Sequence, residues 1–342
     1  MTVAPEDDAA LPWLAEPAHD IATRQRGHAL LVQGNPGAGV FELALRVART
    51  WLCETTGPDA PCGRCTACHL LASNSHPDFR ALLPELTQVE LGWSVGGGDA
   101  PEAGEGAGKK KPSKDIKIEA VRDAIGWTQK SSSRGRAKVL LLFPADAMNL
   151  VASNALLKTL EEPPQGVRLL LVAEDAERLL PTLRSRCQRI LFAGPTPEQA
   201  LTWLEGQGVA NAPVLLAAAG GHPLAARRLA ADGFDAAAWI ALPKRIADGK
   251  WEPPAGATVP RLREVLQKLC HDAMAVAAGS APRYFPAASL PPPAAWAKLA
   301  DWSQSLARLA RHDEHPFNAP LITDSLLAEA KAVWTKPRGR AA

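Results

Sequence analysis

The chain has 342 residues, 46% of them hydrophobic, enough for two or three cores at about 150 residues per domain. Thirty-eight Lys and Arg against 36 Asp and Glu leave a net charge of +2, so the overall balance demands neither nucleic acid nor an acidic membrane as partner, and any such contact must be local. No run approaches roughly 18 apolar residues, and the N-terminus MTVAPEDDAALPW lacks the basic flank and apolar core of a signal peptide, which predicts a soluble cytoplasmic protein without a membrane partner.

Residues 13–27 read as a helix, followed by an apolar strand at 28–32 that runs into the turn GNPGAG. Beyond it Leu43, Val47, Ala48 and Leu52 recur at helical spacing, predicting a helix from 40 to 52. Strand, glycine turn and helix are the parts of a phosphate-binding loop, G-x-x-x-x-G-K-[ST], in which amides cradle phosphates, the lysine neutralises their charge and the hydroxyl holds magnesium. Gly34 and Gly39 keep that spacing, with Gly37 between them, but Val40 and Phe41 stand where the lysine and hydroxyl belong. On these six residues alone, a fortuitous glycine turn at a helix N-terminus is the favoured reading.

Six cysteines in a reducing compartment point to metal or free thiols rather than disulfides. Cys53, Cys62, Cys65 and Cys68 form C-x8-C-x2-C-x2-C, and four thiolates complete a tetrahedral zinc shell with no open position, which argues for a structural metal. The intervening TTGPDAPCGRC cannot build a core of its own, so metal would supply the cohesion. Unmetallated thiols are the alternative. His69 and His76 lie nearby, but the four cysteines already fill the shell.

A short strand follows at 79–83, then a Gly-, Ala-, Glu- and Lys-rich segment at 92–114 with too little apolar content to order itself, expected to be a flexible surface insertion. Its Lys109-Lys110-Lys111 run reads as solvated charge, with phosphate contact the second reading. Helix is expected at 116–130, a strand buried on both faces at 137–143, a helix at 149–161 ending before Pro163-Pro164, and strands at 168–173 and 189–192 around a short helix. Strands alternating with helices imply an α/β fold with a largely parallel sheet. Past Gly194-Pro195-Thr196-Pro197 the pattern is wholly helical: Leu262, Val265, Leu266, Leu269, Ala273 and Val276 follow one face, and 296–310 and 320–334 repeat the theme, as in a helical bundle.

SNALLKTLEEPP at 153–164, then Ser185-Arg186-Cys187, with a cysteine module after the glycine loop, resembles the clamp-loader subunits of bacterial DNA polymerase III, members of the AAA-type ATPase superfamily. The resemblance covers residues 10 to about 240; the remainder matches in helical character, with Asn318-Ala319-Pro320-Leu321 as a faint echo. It implies a parallel-sheet P-loop domain at 1–194 carrying a zinc module at 53–68, a helical lid at 195–238 and a helical collar at 239–342 that assembles a hetero-oligomer.

Active members of that family need the loop lysine and hydroxyl, an acid closing the 139–143 strand, a small polar sensor after the next strand and a lid arginine. The matching positions here are Val40 and Phe41, Phe143-Pro144, Ala173-Glu174 and Leu224. Four losses in one site imply a subunit that neither hydrolyses nor binds ATP, the glycine turn being kept for the strand-to-helix connection. In the family the arginine of the SRC motif, here Arg186, projects into a neighbour's ATP site, a task suited to a permanently charged two-donor fork. Outside that resemblance Arg186 reads as a surface salt bridge. The implied partners are the delta and tau or gamma subunits and, through the complex, the sliding clamp and primed DNA. Lys158 and Glu161-Glu162 carry solvated charge by default, and their motif adds subunit or DNA contact. Cys187 and Cys270 read as small buried residues, not nucleophiles. An active ATPase subunit of the tau or gamma type, and a zinc-dependent nucleic-acid-binding protein, are the two alternatives; Val40, Phe41 and Phe143 oppose the first, and Arg64 standing alone as a basic residue between the cysteines weakens the second.

Overall fold

Runs dominated by Leu and Val, such as KVLLL and VRLLLVA, suit strands covered on both faces, and they form the middle of the sheet. The structure, a computed structural model, describes residues 11–91, 112–254, 257–310 and 318–335. Apart from Pro112, Ser113 and Lys114, the insertion expected at 92–114, including its lysine run, lies outside the described residues. The chain divides into two compact units, Met1–Thr196 and Pro197–Ala342.

In the first unit, β1 (Ala29–Gln33), β2 (Phe79–Leu82), β3 (Lys138–Leu142), β4 (Val167–Ala173) and β5 (Gln188–Leu191) form one sheet in the order β2-β3-β4-β1-β5. Every neighbouring pair is parallel. This is the α/β class with the parallel sheet expected from the alternating pattern. The order puts the C-terminal end of β1 between those of β4 and β5, where open parallel sheets present their crevices.

The helices of this unit are α1 (Ala15–Arg24), α2 (Val40–Leu52), α3 (Thr66–Ala72), α4 (Glu85–Leu91), α5 (Ile118–Thr128), α6 (Leu150–Glu161) and α7 (Pro181–Arg184). The helix expected at 13–27 is shorter: a 3-10 turn at Pro12–Leu14 precedes α1, and Gln25 leaves it with extended backbone. The last strand begins at 188 instead of 189. Two short helices are not among the expected elements: α3 lies in the cysteine module, read as loop, and α4 on residues with no assigned element. The start of α3 is capped by a thiol, Cys65 Sγ accepting from Cys68 N–H, and so lacks the Ser, Thr, Asp or Asn that marks a helix start.

Two charged groups buried among these elements, Lys138 and Asp78, are held mainly by backbone. Lys138, within β3, donates through Nζ to the carbonyls of Trp127 (2.8 Å) and Lys130 (2.9 Å) and lies 4.3 Å from the Trp127 ring centre, so a cation caps the end of α5. Asp78, fully buried before β2, accepts from Ser132 Oγ and from the N–H groups of Ser133 and Arg134, pinning the loop that enters β3.

The second unit is helical: α8 (Pro197–Gly206), α9 (Ala212–Ala218), α10 (Pro223–Ala231), α11 (Ala236–Ala247), α12 (Val259–Ala277), α13 (Trp296–Ala310) and α14 (Ala319–Trp334). α8, α9 and α10 pack on one another, as do α11, α12, α13 and α14. The core of the latter set includes a Trp239–Phe285 stack with centroids 4.4 Å apart. Buried Asp272 on α12 accepts from the N–H groups of Arg283, Tyr284 and Phe285, tying the following loop back to the helix. Among the described residues no helix is long and apolar enough to cross a membrane.

Candidate functional site

The glycine loop leaves the C-terminal end of β1 and closes on itself. Gly34 N–H donates to Ala173 O at the end of β4 (3.1 Å), fixing the loop to the sheet. A side chain at Gly34 would stand 3.0 Å from Phe192 O and from Val40 Cγ2, so anything larger than glycine would press on its neighbours there. Gly39 has φ +94°, a conformation that favours glycine. Between them the amides point inward: Gly37 N–H donates to Asn35 Oδ1 (2.8 Å), Ala38 N–H to Asn35 O (3.0 Å) and Gly39 N–H to Pro36 O (3.1 Å). A phosphate cradle needs such amides aimed outward at the anion. Here they are consumed by a 3-10 turn, and Trp13 Nε1 caps the turn from outside by donating to Ala38 O (3.0 Å).

Val40 and Phe41 open α2 fully buried, at 0% and 2% exposure. The Phe41 ring stacks on Phe143, just past β3, with centroids 4.6 Å apart and planes at 28°. Sequence reading assigned these two positions to the lost hydroxyl and the lost acid without connecting them. The structure joins them as an aromatic pair, so apolar packing fills the ground between α2 and β3. Ala173 ends β4, and Glu174 beyond it accepts from Asn35 Nδ2 (3.2 Å).

The four module cysteines converge. Cys53 follows α2, Cys62 lies in the loop, Cys65 caps α3 and Cys68 sits in its first turn. Their sulfurs lie within 4.8 Å of one another, with Cys53–Cys65 and Cys53–Cys68 each 3.8 Å. A tetrahedral thiolate centre with metal–sulfur bonds of about 2.3 Å has sulfurs about 3.8 Å apart, so the set can hold a metal ion. Outer partners are in place: Cys62 N–H points at Cys53 Sγ and Cys68 N–H at Cys65 Sγ, both at 3.4 Å, which stabilises negative sulfur. Burial pushes the Cys53 and Cys68 thiols up, whereas a hydrogen bond from the Thr55 side chain brings Cys62 down to about 5. A cation at the centre offsets that desolvation. His69 is exposed, and buried His76 spends Nδ1 on Asp78 N–H (3.1 Å). Glu54, next to Cys53, pairs with Arg134, and its carbonyl accepts from Arg136 (3.1 Å), which ties the module to the loop before β3.

Arg186 follows α7, and its guanidinium pairs with Glu161, the last residue of α6. Nη1 also donates to Thr182 O (2.7 Å). The two segments that carried the resemblance, SNALLKTLEEPP and SRC, are thus joined by a salt bridge that sequence reading did not connect. Lys158 and Glu162 are exposed, and Leu224 lies in the first turn of α10. Cys187 and Cys270 are buried, and burial pushes each thiol up to about 12, the condition of an inert packing residue.

The fold and its loop define a class: an α/β protein built on the strand–turn–helix of a nucleotide-binding domain, its phosphate-gripping groups replaced by apolar packing, with a four-cysteine centre beside it. Residues 14–196 match the family described as "DNA polymerase III, delta subunit", and the chain belongs to that family. It is 37% identical over 214 residues to DNA polymerase III subunit delta' of Pseudomonas aeruginosa, covering 61% of this chain and 57% of that protein. With DNA polymerase III subunit delta' of Escherichia coli it shares 35% over 212 residues, 60% of this chain and 56% of the other. The chain therefore matches little more than half the length of these relatives. A solved structure of a DNA polymerase III gamma subunit-related protein from Thermotoga maritima is 15% identical, with a TM-score of 0.46 over 94% of this chain and 100% of that one. Both sequence relatives carry the delta' name, the type to which the missing lysine, hydroxyl and acid point.

Proposed function

We propose that this chain is a non-hydrolysing, delta-prime-type subunit of a DNA polymerase III clamp loader, the complex that places the sliding clamp on primed DNA. The observation that carries the reading is the glycine loop spending its amides on itself beside the Phe41–Phe143 stack, in a chain of this family. Such a site has no use for ATP, whereas the strand–turn–helix shape still serves assembly. Arg186 then acts in trans, offering its guanidinium to the nucleotide of an adjoining ATPase subunit of the tau or gamma type. Cys53, Cys62, Cys65 and Cys68 hold one structural zinc, a role supported by sulfur spacings close to those of a tetrahedral centre. Within the helical unit, α8, α9 and α10 serve as the lid and α11 to α14 as the collar that holds a cytoplasmic hetero-oligomer with delta and tau or gamma.

Affinity purification of the full chain from its own cells, followed by Mg-ATP calorimetry on the isolated chain, tests the proposal. The expected result is a stable complex containing replicative ATPase subunits and no micromolar ATP binding by the chain alone. A monomer that hydrolyses ATP by itself overturns it.

A further inference from the structure

We propose that Glu161 is a positioning residue for Arg186, gripping one edge of its guanidinium so that the other is presented outward; this rests on the reading of Arg186 as the group offered to a neighbouring nucleotide. A guanidinium has two two-donor edges, Nε with Nη2 and Nη1 with Nη2. Nε and Nη2 of Arg186 both face Glu161 Oε1, so the carboxylate occupies the first edge. Nη1 donates to Thr182 O, one turn back in the chain, at 2.7 Å, while the neighbouring Ser185 Oγ stands at 3.5 Å. One N–H on each of Nη1 and Nη2 is left for an acceptor outside the chain, on a side chain that is 34% exposed and so reaches solvent while being held at three nitrogens.

The hold has a physical purpose. A free arginine carries about 2 kcal/mol of rotamer entropy, lost when it is fixed on a phosphate. Glu161 and Thr182 restrict it beforehand, so less is lost at the moment of reaction, and reactions of this kind depend on positioning to a high degree. Both holders are rigidly placed. Glu161 closes α6, whose start is capped by Asn149 Oδ1 accepting from Ala152 N–H (2.9 Å), and Thr182 lies within α7, set by Pro181. The end of α6 also carries the negative pole of its helix, which favours a cation there. Glu161 thereby gains a role that its charge alone did not assign.

The test is steady-state ATP turnover by reconstituted complexes carrying the full-length wild-type chain, Glu161→Gln, Arg186→Ala, or both changes. Glu161→Gln is expected to lower kcat at the site facing this subunit by about fivefold, the rate equivalent of one exposed ion pair, with KM for ATP unchanged. Glu161→Asp should restore part of the loss, and adding Glu161→Gln to Arg186→Ala should change nothing further. Full turnover with Glu161→Gln, where Arg186→Ala alone is impaired, overturns the positioning role and leaves the arginine's role standing. A Glu161→Gln loss that persists undiminished beside Arg186→Ala overturns it too, because it assigns Glu161 to packing. Unchanged turnover with Arg186→Ala removes the underlying reading of the arginine itself.

Discussion

Phe41 stacks on Phe143 with ring centroids 4.6 Å apart, joining the first turn of α2 to the end of β3. The pair stands where an active phosphate loop needs a hydroxyl and an acid to share a magnesium ion. A hydrated cation and two buried phenyl rings cannot share one space, which supports the proposal that this loop takes no magnesium-bound nucleotide. Truncating Phe41 to Ala removes a ring that is 2% exposed and leaves a cavity, with an expected cost of about 3–5 kcal/mol. Urea unfolding of the isolated chain measures it. A cost below about 1 kcal/mol would show that the stack does not support the fold.

The cysteine centre yields an expectation about metal. Purified under reducing conditions without chelator, the chain should carry one zinc. Cys65→Ser leaves three thiolates and also removes the sulfur that caps α3, so both metal affinity and the order of 53–72 should fall. The sheet should stand, since its central strands are buried by their own packing. Metal analysis with far-ultraviolet circular dichroism separates the two effects. Loss of strand signal in Cys65→Ser would mean that the centre organises the whole unit.

Asp78 sets a pH dependence whose sign follows from its partners. Burial works against its charge, but the N–H groups of Ser133 and Arg134 and the Ser132 hydroxyl hold its carboxyl below the ordinary value of 3.8. A group depressed on folding contributes stability that is fully present above its unfolded value and lost as pH falls through its folded one. Wild type should therefore lose stability below about pH 4 more steeply than Asp78→Asn. At neutral pH Asp78→Ala strands two backbone donors, at about 1–3 kcal/mol for each unsatisfied group. Chemical unfolding of wild type, Asp78→Asn and Asp78→Ala from pH 3 to 7 checks both. Parallel pH profiles for wild type and Asp78→Asn would contradict the assignment.

What was legible in the residues was whatever is local. The bounds of α2 and α13 agree with their periodicity because one face of each is apolar and nothing long-range competes. The buried strands read true for the same reason. By contrast, the Phe41–Phe143 stack and the Glu161–Arg186 pair join residues far apart in the chain, and no periodicity encodes such a meeting. The start of α3 was hidden because a thiol caps it. The burial of Lys138 within an apolar strand follows from carbonyls and a ring that the end of α5 supplies, contacts that the strand's own residues do not encode. Chemistry at a distance was visible only through the motifs SNALLKTLEEPP and SRC, which carried the resemblance without the contact between them.

The role proposed for Arg186 separates stability from catalysis. Its ion pair with Glu161 is partly exposed, with side-chain exposures of 34% and 48%, and pairs of that kind contribute about 0–1 kcal/mol. Arg186→Ala should therefore shift the unfolding free energy of the isolated chain by no more than about 1 kcal/mol, with zinc content unchanged, because the cysteine centre shares no residue with it. Assembly should survive, since one partly exposed side chain is a minor part of an interface. Phosphoryl transfer spreads negative charge over the γ-phosphate oxygens, and an arginine delivered in trans is worth about 10³–10⁵ in rate at a fully dependent site. ATP turnover at the one site facing this subunit should thus fall far more than stability does, and the rate of clamp loading with it. Arg186→Lys should recover little, because an ammonium on a flexible stem cannot grip Glu161 with one edge and a phosphate with the other. Steady-state hydrolysis and clamp loading by complexes assembled with wild-type, Arg186→Ala or Arg186→Lys chains decide the matter. Equal rates in all three would return Arg186 to a surface salt bridge.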